Sequence, residues 1–278
     1  MNIVDTTLRD GEQKAGVAFN VCDKVKIAKL LDYIGVAQIE AGTPSMGGVE
    51  RKSIEKIVEL HLQARISAWN RMNHLDIQAS IECGVDIIHI SIPASDLHIY
   101  YKFNQTRQWV MEQMESCIDY ARERNLEVHI GLEDASRADI DFILEICRKA
   151  QKAGASRIRY ADTVGILTPS KVYQDIQTIC EHIEVPVGIH AHNDFGMAVA
   201  NSLASVRAGV TFVDTTIGGF GERSGNCNLL HMLKAAIVQG QGTKKEEASL
   251  QKLLKVQDEI LRIFHNHSSN SFNTVAFA

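Results

Sequence analysis

Two short segments that lie far apart in the chain carry residue types that bind divalent metals. They are 5–13 (DTTLRDGEQ) and 190–194 (HAHND), and each follows an apolar run with the pattern of a strand. Because side chains two apart in a strand share a face, His190 and His192 can point at one position. Asp10 adds a carboxylate. Two histidines and one carboxylate, with coordination positions left over, predict an open metal site rather than a closed structural one.

Apolar β-rich runs alternate with segments of helical periodicity along the chain, and these elements must position the site. The predicted strands are Asn2–Thr6, Val36–Glu40, Arg65–Trp69, Asp86–Ser91, Glu127–Glu133, Arg157–Ala161, Val187–His192 and Thr211–Thr216. Just before a strand, a glycine often stands where a helix would end in a left-handed residue, namely Gly35, Gly84, Gly154 and Gly209. Repeated helix–glycine–strand units predict parallel strands joined by crossovers, and therefore an α/β fold of the (β/α)8 TIM-barrel type.

A doubly wound open sheet is the alternative architecture for this alternation. Such a sheet usually carries a glycine-rich phosphate loop after its first strand. The corresponding segment here, 8–13 (LRDGEQ), is too acidic to bind phosphates. The barrel is therefore the favoured prediction.

The length of 278 residues suits a single barrel. We predict a catalytic barrel domain over 1–242 and a short C-terminal helical extension over 243–278. In detail, a polar loop at 239–247 is expected to precede a helix from Leu250 to His265, with an irregular end from Asn266 to Ala278.

Composition excludes several classes of protein. The formal net charge of −5 argues against nucleic-acid binding, which usually requires a basic face. No apolar run approaches ~18 residues, so no membrane span is predicted. The first strand begins at once, which leaves no room for a signal peptide. The six cysteines form no Cys-x-x-Cys pair, which indicates reduced, non-catalytic thiols in a cytoplasmic protein.

Charged residues at the strand ends indicate a polar pocket, because active sites of such barrels lie at the carboxyl ends of the strands. Arg9, Glu40, Glu133 and Arg159 fall where alternation can aim them into the barrel. Buried charges are costly unless they are paired or bind a ligand, so this set predicts an anion-binding, metal-bearing pocket. Arg159 has a structural alternative, which is pairing with Glu133 or with His129. His89 and His129 are interpreted as core histidines.

The chain resembles the metal-dependent barrel family of acyl-CoA Claisen-type synthases and lyases. Its members include isopropylmalate, homocitrate and citramalate synthases and 3-hydroxy-3-methylglutaryl-CoA (HMG-CoA) lyase. The resemblance covers nearly the whole chain, and its markers are 5–13, 133–137 (EDASR), 161–165 (ADTVG), 190–194 and 221–226 (GERSGN). Two further stretches, 12–16 (EQKAG) and 66–71 (ISAWNR), are most similar to the nitrogenase-associated homocitrate synthases.

The resemblance implies a role for each marker residue. Asp10, His190 and His192 are implied to hold a divalent cation (Mg²⁺, Mn²⁺ or Zn²⁺), with Asn226 near it or on it. Arg9 is implied to polarise the keto oxygen of the substrate. The implied lining of the 2-oxo acid pocket is Gln13, Glu40 and Thr163, with Glu133 beside them as a catalytic residue. A second carboxylate on the substrate would need its own cationic or multi-donor anchor, for which Arg159, Arg71 and Arg137 are the candidates.

The resulting hypothesis is an acyltransferase that condenses acetyl-CoA with a 2-oxo acid and hydrolyses the thioester. The favoured substrate is 2-oxoglutarate, which gives homocitrate; pyruvate and 2-oxoisovalerate are the nearest alternatives. A homodimer is expected from the family. Cleavage by a lyase or aldolase is a further alternative, although the loop 217–223 lacks the cysteine that the lyases carry there.

Two departures from the family limit the transfer of roles. The synthases usually continue past the barrel into a helical subdomain that supplies a catalytic His and Tyr, and this chain shows no such motif. A separate subunit is therefore a further hypothesis, with this chain binding substrate but inactive alone. The lysine-pathway homocitrate synthases also have a His where Asn70 stands and a Glu where Gly188 stands, so their substrate contacts do not transfer directly.

Overall fold

The chain forms a closed barrel of eight parallel strands, which confirms the predicted (β/α)8 fold. The computed structural model describes the backbone of residues 1–273 and the side chains of residues 1–266. The strands are β1 (Asn2–Asp5), β2 (Gln38–Glu40), β3 (Arg65–Arg71), β4 (Ile87–Pro93), β5 (Glu127–Glu133), β6 (Arg157–Asp162), β7 (Val187–Ala191) and β8 (Phe212–Thr215). Each strand pairs with its neighbours in sequence, and β1 pairs with β8 to close the barrel.

Helices connect the strands on the outside of the barrel. They are α1 (Val21–Ile34), α2 (Gly48–Val58), α3 (His74–Glu82), α4 (Arg107–Arg122), α5 (Ile140–Ala153), α6 (Pro169–Cys180), α7 (Ala198–Arg207), α8 (Leu229–Val238) and α9 (Lys244–Asn273). Side-chain caps define several helix starts; for example, Asn20 and Asp23 form a reciprocal capping box at the start of α1. The four glycines predicted to follow helices all have positive φ, between 75° and 117°. Helix ends therefore fall where the sequence predicted them.

Alternation along β4 and β5 divides the buried residues into two sets. Ile88, Ile90 and Ile92 point outward into the apolar layer between strands and helices, and they are fully buried. His89 and Ser91 point inward and line a cavity. The apolar core therefore lies around the barrel, while the barrel interior carries polar and charged groups.

Most strand and helix boundaries differ from the prediction by one or a few residues, and two of these differences have a visible cause. Strand β7 ends at Ala191, so His192 lies one residue beyond it and is held by an isolated bridge to Asn226. The last helix begins at Lys244 rather than Leu250, because Glu246 accepts a hydrogen bond from the backbone N–H of Thr243 and caps it.

The irregular end predicted from Asn266 is wrong as far as Asn273, since α9 continues to that residue. Extending an existing helix through Ser and Asn costs little compared with starting one. The remaining part of that prediction, 274–278, lies outside the described residues. Within 1–273, no helix combines the length and the apolar character that crossing a membrane requires.

Candidate metal centre and active site

A cavity of about 170 Å³ opens at the carboxyl ends of the strands. Its lining residues are Arg9, Asp10, Gln13, Trp69, His89, Ser91, Gly131, Glu133, Arg159, Ala161, Thr163, His190, His192 and Glu222. Most of the side chains singled out in the sequence therefore meet at one cavity. Glu40 and Asn226 are the two that lie behind its wall.

Asp10, His190 and His192 converge at the edge of this cavity. The Nε2 atom of His190 lies 3.0 Å from Asp10 Oδ2 and 3.3 Å from His192 Nε2. One ligand atom from each residue lies within 4.8 Å of the other two, and all three residues are buried. Two imidazole nitrogens and a carboxylate oxygen are donors that suit Zn²⁺, Mn²⁺ or Mg²⁺, and three protein ligands leave positions open. The residues present therefore fit a divalent cation.

Asp214 orients His190 from the side away from the cavity. Its Oδ2 lies 3.1 Å from His190 Nδ1, which leaves Nε2 to face Asp10. A carboxylate behind a histidine in this way fixes the ring and raises the basicity of the free nitrogen. The sequence analysis did not select Asp214, although its inward position on β8 was visible there.

Neighbouring charges shift the pKa values of the converging residues in opposite directions. Burial alone would raise the pKa of Asp10, but Arg9 and His190 hold it well below its ordinary value. Burial alone would lower the pKa of His190, but Asp10 and Asp214 raise it to about 9. Burial and the neighbouring His190 lower the pKa of His192 to about 4. Asp10 and Asp214 thus favour a positive charge on His190, while His192 beside it is favoured as a neutral imidazole.

A buried ionic network continues from Arg9 across the barrel. Arg9 Nε donates to Glu40 Oε1 at 2.7 Å, and Arg9 NH1 lies 3.2 Å from Asp10 Oδ2. The other Glu40 oxygen accepts from Arg159 NH1 at 2.8 Å. Glu40 is fully buried and shared between two arginines, so it contacts the cavity through Arg9 rather than lining it.

The pairing predicted for Arg159 with Glu133 or His129 is wrong. Arg159 NH1 donates to Asp214 Oδ2 at 2.7 Å as well as to Glu40, and its NH2 lies 2.6 Å from His89 Nε2. The register explains the difference, because Gly131, not Glu133, is the β5 partner of Arg159. His129 lies at the other end of the barrel, beside Arg157.

Glu133, Thr163 and Gln13 complete the predicted set around the cavity mouth. The Glu133 carboxylate accepts from Lys102 Nζ at 2.6 Å and lies 3.3 Å from His98 Nδ1. Both of these partners belong to a π-helical turn, His98–Lys102, between β4 and α4. Thr163 accepts a hydrogen bond from the Asp134 backbone N–H through Oγ1, and Gln13 is exposed at the rim.

Asn226 contacts Asp10 rather than the open side of the cavity. Its Nδ2 donates to Asp10 Oδ1 at 3.0 Å and to the Phe220 carbonyl, while its Oδ1 is buried and has no hydrogen-bond partner within 1–266. Nearby, Arg223 donates to Asp194 and to the Thr163 carbonyl. Arg223 therefore braces the loops that follow β6, β7 and β8 around Asp10, His190 and His192.

The family model described as HMGL-like matches residues 1–260. The chain belongs to this family. HMGL-like relatives with curated names include the homocitrate synthase subunit alpha of Clostridium pasteurianum, which is 50% identical over 95% of this chain and 97% of its own length. The 2-isopropylmalate synthase 2 of Caldanaerobacter subterraneus is 49% identical over 84% of this chain and 61% of its own length. The homocitrate synthase 1 of Nostoc sp. is 46% identical over 84% of this chain and 62% of its own length.

Solved structures of HMGL-like proteins share the fold. The HMG-CoA lyase of Brucella melitensis superposes with a TM-score of 0.78 at 19% identity, over 92% of this chain and 98% of that one. The carboxyl transferase domain of Rhizobium etli pyruvate carboxylase superposes with a TM-score of 0.73 at 19% identity, over 95% of this chain and 48% of that one. At such identities the likeness shows the fold alone.

Proposed function

We propose that this HMGL-like chain condenses acetyl-CoA with a 2-oxo acid at a divalent metal and hydrolyses the thioester, with 2-oxoglutarate as substrate and homocitrate as product. The observation that carries the proposal is the convergence of Asp10, His190 and His192 beside Arg9 at one cavity. The substrate choice is supported by the 50% identity to a homocitrate synthase subunit over 97% of that relative.

A bound divalent cation would polarise the keto carbonyl of the 2-oxo acid. Arg9 lies beside Asp10, His190 and His192. Its Nε donates to Glu40, and its NH1 contacts Asp10. These two carboxylates fix the guanidinium plane at the cavity wall. In the proposed reaction, Arg9 then supplies positive charge to the keto oxygen as that oxygen becomes an alkoxide, and needs little movement to do so.

Glu133 is the proposed catalytic carboxylate on the opposite wall of the cavity. It lines this cavity and also an adjoining one of about 260 Å³ that carries Trp69, Phe103 and Trp109. A carboxylate where the two cavities meet is suited to hold or move a proton between two substrates. Lys102 Nζ donates to this carboxylate at 2.6 Å.

A second carboxylate on the substrate requires a polar far end of the cavity. Arg159, His89 and Ser91 line that end, and Arg159 is almost completely buried. The NH1 and NH2 groups of Arg159 already contact Glu40, Asp214 and His89. We therefore propose that Arg159 attracts the distal carboxylate through its charge, and that Ser91 offers the direct hydrogen bond.

Thermal-shift measurements with Mn²⁺ and a series of 2-oxo acids test this proposal, because a ligand that binds the folded state raises its stability. We expect the largest metal-dependent rise in Tm with 2-oxoglutarate, and smaller rises with pyruvate and 2-oxoisovalerate. His192→Ala should remove both the metal and the 2-oxo acid response. The exposed His182→Ala is the matched control. Full metal stoichiometry in His192→Ala would refute the ligand assignment, and a larger rise with pyruvate would change the substrate.

A two-chain enzyme is a second candidate, and the lengths of the relatives favour it. The chain spans nearly all of the relative named as a subunit, but only 61% and 62% of two synthases that are longer. We propose that this chain binds metal and 2-oxo acid by itself and needs a second polypeptide for turnover. Steady-state assays of the chain alone and of the chain mixed with candidate partners decide this. Full turnover by the chain alone would contradict it, and the homodimer stays a prediction.

A further inference from the structure

A second cavity lies at the opposite end of the barrel, where the strands begin. Its volume is about 300 Å³, and its polar lining includes Asn2, Gln38, Arg65, Glu127, Ser156 and Arg157. These residues lie at the amino-terminal ends of the strands or just before them. They are therefore at the opposite end of the barrel from Asp10, His190 and His192. A cavity of this size exceeds the ~30 Å³ that one water occupies in the liquid.

Arg157 is the unusual residue of this cavity because its charge is buried and lacks an ion pair. Only 3% of the residue is exposed, and the guanidinium carbon stacks 4.2 Å from the centre of the Phe212 ring. Within 1–266, no carboxylate oxygen lies within 4.0 Å of its nitrogens. Uncompensated buried charge is costly, so a counter-ion at this point would be stabilising.

The hydrogen bonds of Arg157 leave one part of the guanidinium facing the cavity. Both bonds are made by NH2, to Gln38 Oε1 at 2.5 Å and to His129 Nδ1 at 2.6 Å. The NH1 and Nε groups have no protein acceptor among the described residues. Neither group is fully enclosed by the protein. They therefore keep access to the cavity.

Glu127 lines the same cavity but cannot serve as the counter-ion, because its contacts are already made. Glu127 is bonded to Arg65 NH1, to His129 Nε2 and to Ser156 Oγ. The imidazole of His129 separates Glu127 from Arg157. With Arg65 matched by Glu127, the cavity retains one positive charge.

We infer that the amino-terminal mouth of the barrel is a binding site for a small oxyanion, which accepts hydrogen bonds from Arg157 NH1 and Nε. Asn2 also lines the cavity, and its side-chain amide is a further possible donor to the anion. Phosphate and small carboxylates share the required chemistry, which is a compact negative charge with several acceptor oxygens. The site is independent of the proposed function, since it shares no residue with the metal-binding cavity.

Phosphate titration at constant ionic strength, read out as Tm, tests the site. At about twenty times the dissociation constant we expect Tm to rise by roughly 3 °C. Arg157→Gln should remove the rise, whereas Arg207→Gln should keep it. Arg207 is a matched control because it is an exposed arginine whose side chain also bonds a glutamine, Gln239. Acetate in place of phosphate shows whether a carboxylate is accepted equally.

Two further measurements keep the test decisive. Arg9→Gln removes a cation of the other cavity. A phosphate response that is lost in Arg9→Gln but kept in Arg157→Gln would overturn the inference. If Arg157→Gln does not fold, crystals of the unchanged protein soaked in selenate replace it. An anomalous peak in hydrogen-bond contact with Arg157 NH1 supports the site, and a cavity that holds only water overturns it.

Discussion

Asp214 lies 3.1 Å from the Nδ1 atom of His190, on the side of the ring opposite Asp10. This contact determines which nitrogen of His190 faces the proposed cation. It also joins the metal-binding residues to Arg159 and, through Glu40, to Arg9. The geometry of the site is thus set in part by two carboxylates, Asp214 and Glu40, that do not line the cavity.

We expect Asp214→Asn to weaken metal binding by about 10- to 100-fold, because the amide no longer holds the imidazole as a carboxylate does. Titration with Mn²⁺, followed by calorimetry, measures the change. Asp175→Asn is the matched control, since Asp175 is also buried but bonds Tyr160 and Lys171 far from the metal. An unchanged dissociation constant in folded Asp214→Asn would show that the contact is not used.

Lys24→Met should lower the free energy of unfolding by about 3 kcal/mol, because two carboxylates lose their ion-pair partner. Lys24 is fully buried, lies 2.6 Å from Glu12 and contacts Glu50, and donates to the Leu8 carbonyl at 3.1 Å. Urea denaturation gives the value. Lys26→Met is the control on the same helix; its ion pair with Glu259 is exposed and should contribute less than about 1 kcal/mol. Equal losses would indicate that the buried ion pairs of Lys24 contribute no more stability than the exposed ion pair of Lys26.

We predict that Gly131→Ala is destabilising by about 1–3 kcal/mol, since an added Cβ would lie 2.4 Å from His89 Nε2. The displaced ring would also disturb Arg159, to which it bonds. Gly188→Ala, on β7, is the matched control because its Cβ would come no closer than 3.4 Å to a neighbour. Thermal unfolding of both variants compares them, and a tolerated Gly131→Ala would mean that His89 has room to move.

Glu246→Gln should lower the free energy of unfolding by about 1 kcal/mol at pH 7, and the difference should shrink in acid. Burial alone would raise the pKa of Glu246, but its hydrogen bonds from Thr243 lower it to about 2. A carboxyl whose pKa is lowered by folding stabilises the fold at pH values above its ordinary pKa of 4.5. This contribution is lost as the pH falls towards 2. Urea denaturation at several pH values measures the difference. Glu247→Gln, at an exposed position, should show no such trend.

Local pattern was sufficient to predict the barrel and the convergence of Asp10, His190 and His192. Strand alternation placed His190 and His192 on one face, and the parallel fold brought Asp10 beside them. The partners of Arg159 could not be predicted in this way, because they come from strands across the barrel rather than from neighbours. Asp214 was missed despite its place near the end of β8, because its role depends on contacts with His190 and Arg159 from other strands. The start of α9 does have a local signal in the sequence, since Thr243 and Glu246 have the spacing of a capping box.

Two arginines stand one above the other inside the barrel, at positions 157 and 159 of β6. Each donates to a residue of β2 that lies 119 positions earlier in the chain, Arg157 to Gln38 and Arg159 to Glu40. A half-assembled barrel would leave these guanidinium groups in water, without the β2 acceptors that make their burial favourable. Stable half-barrel intermediates are therefore disfavoured, and the final closure of the sheet should limit the folding rate.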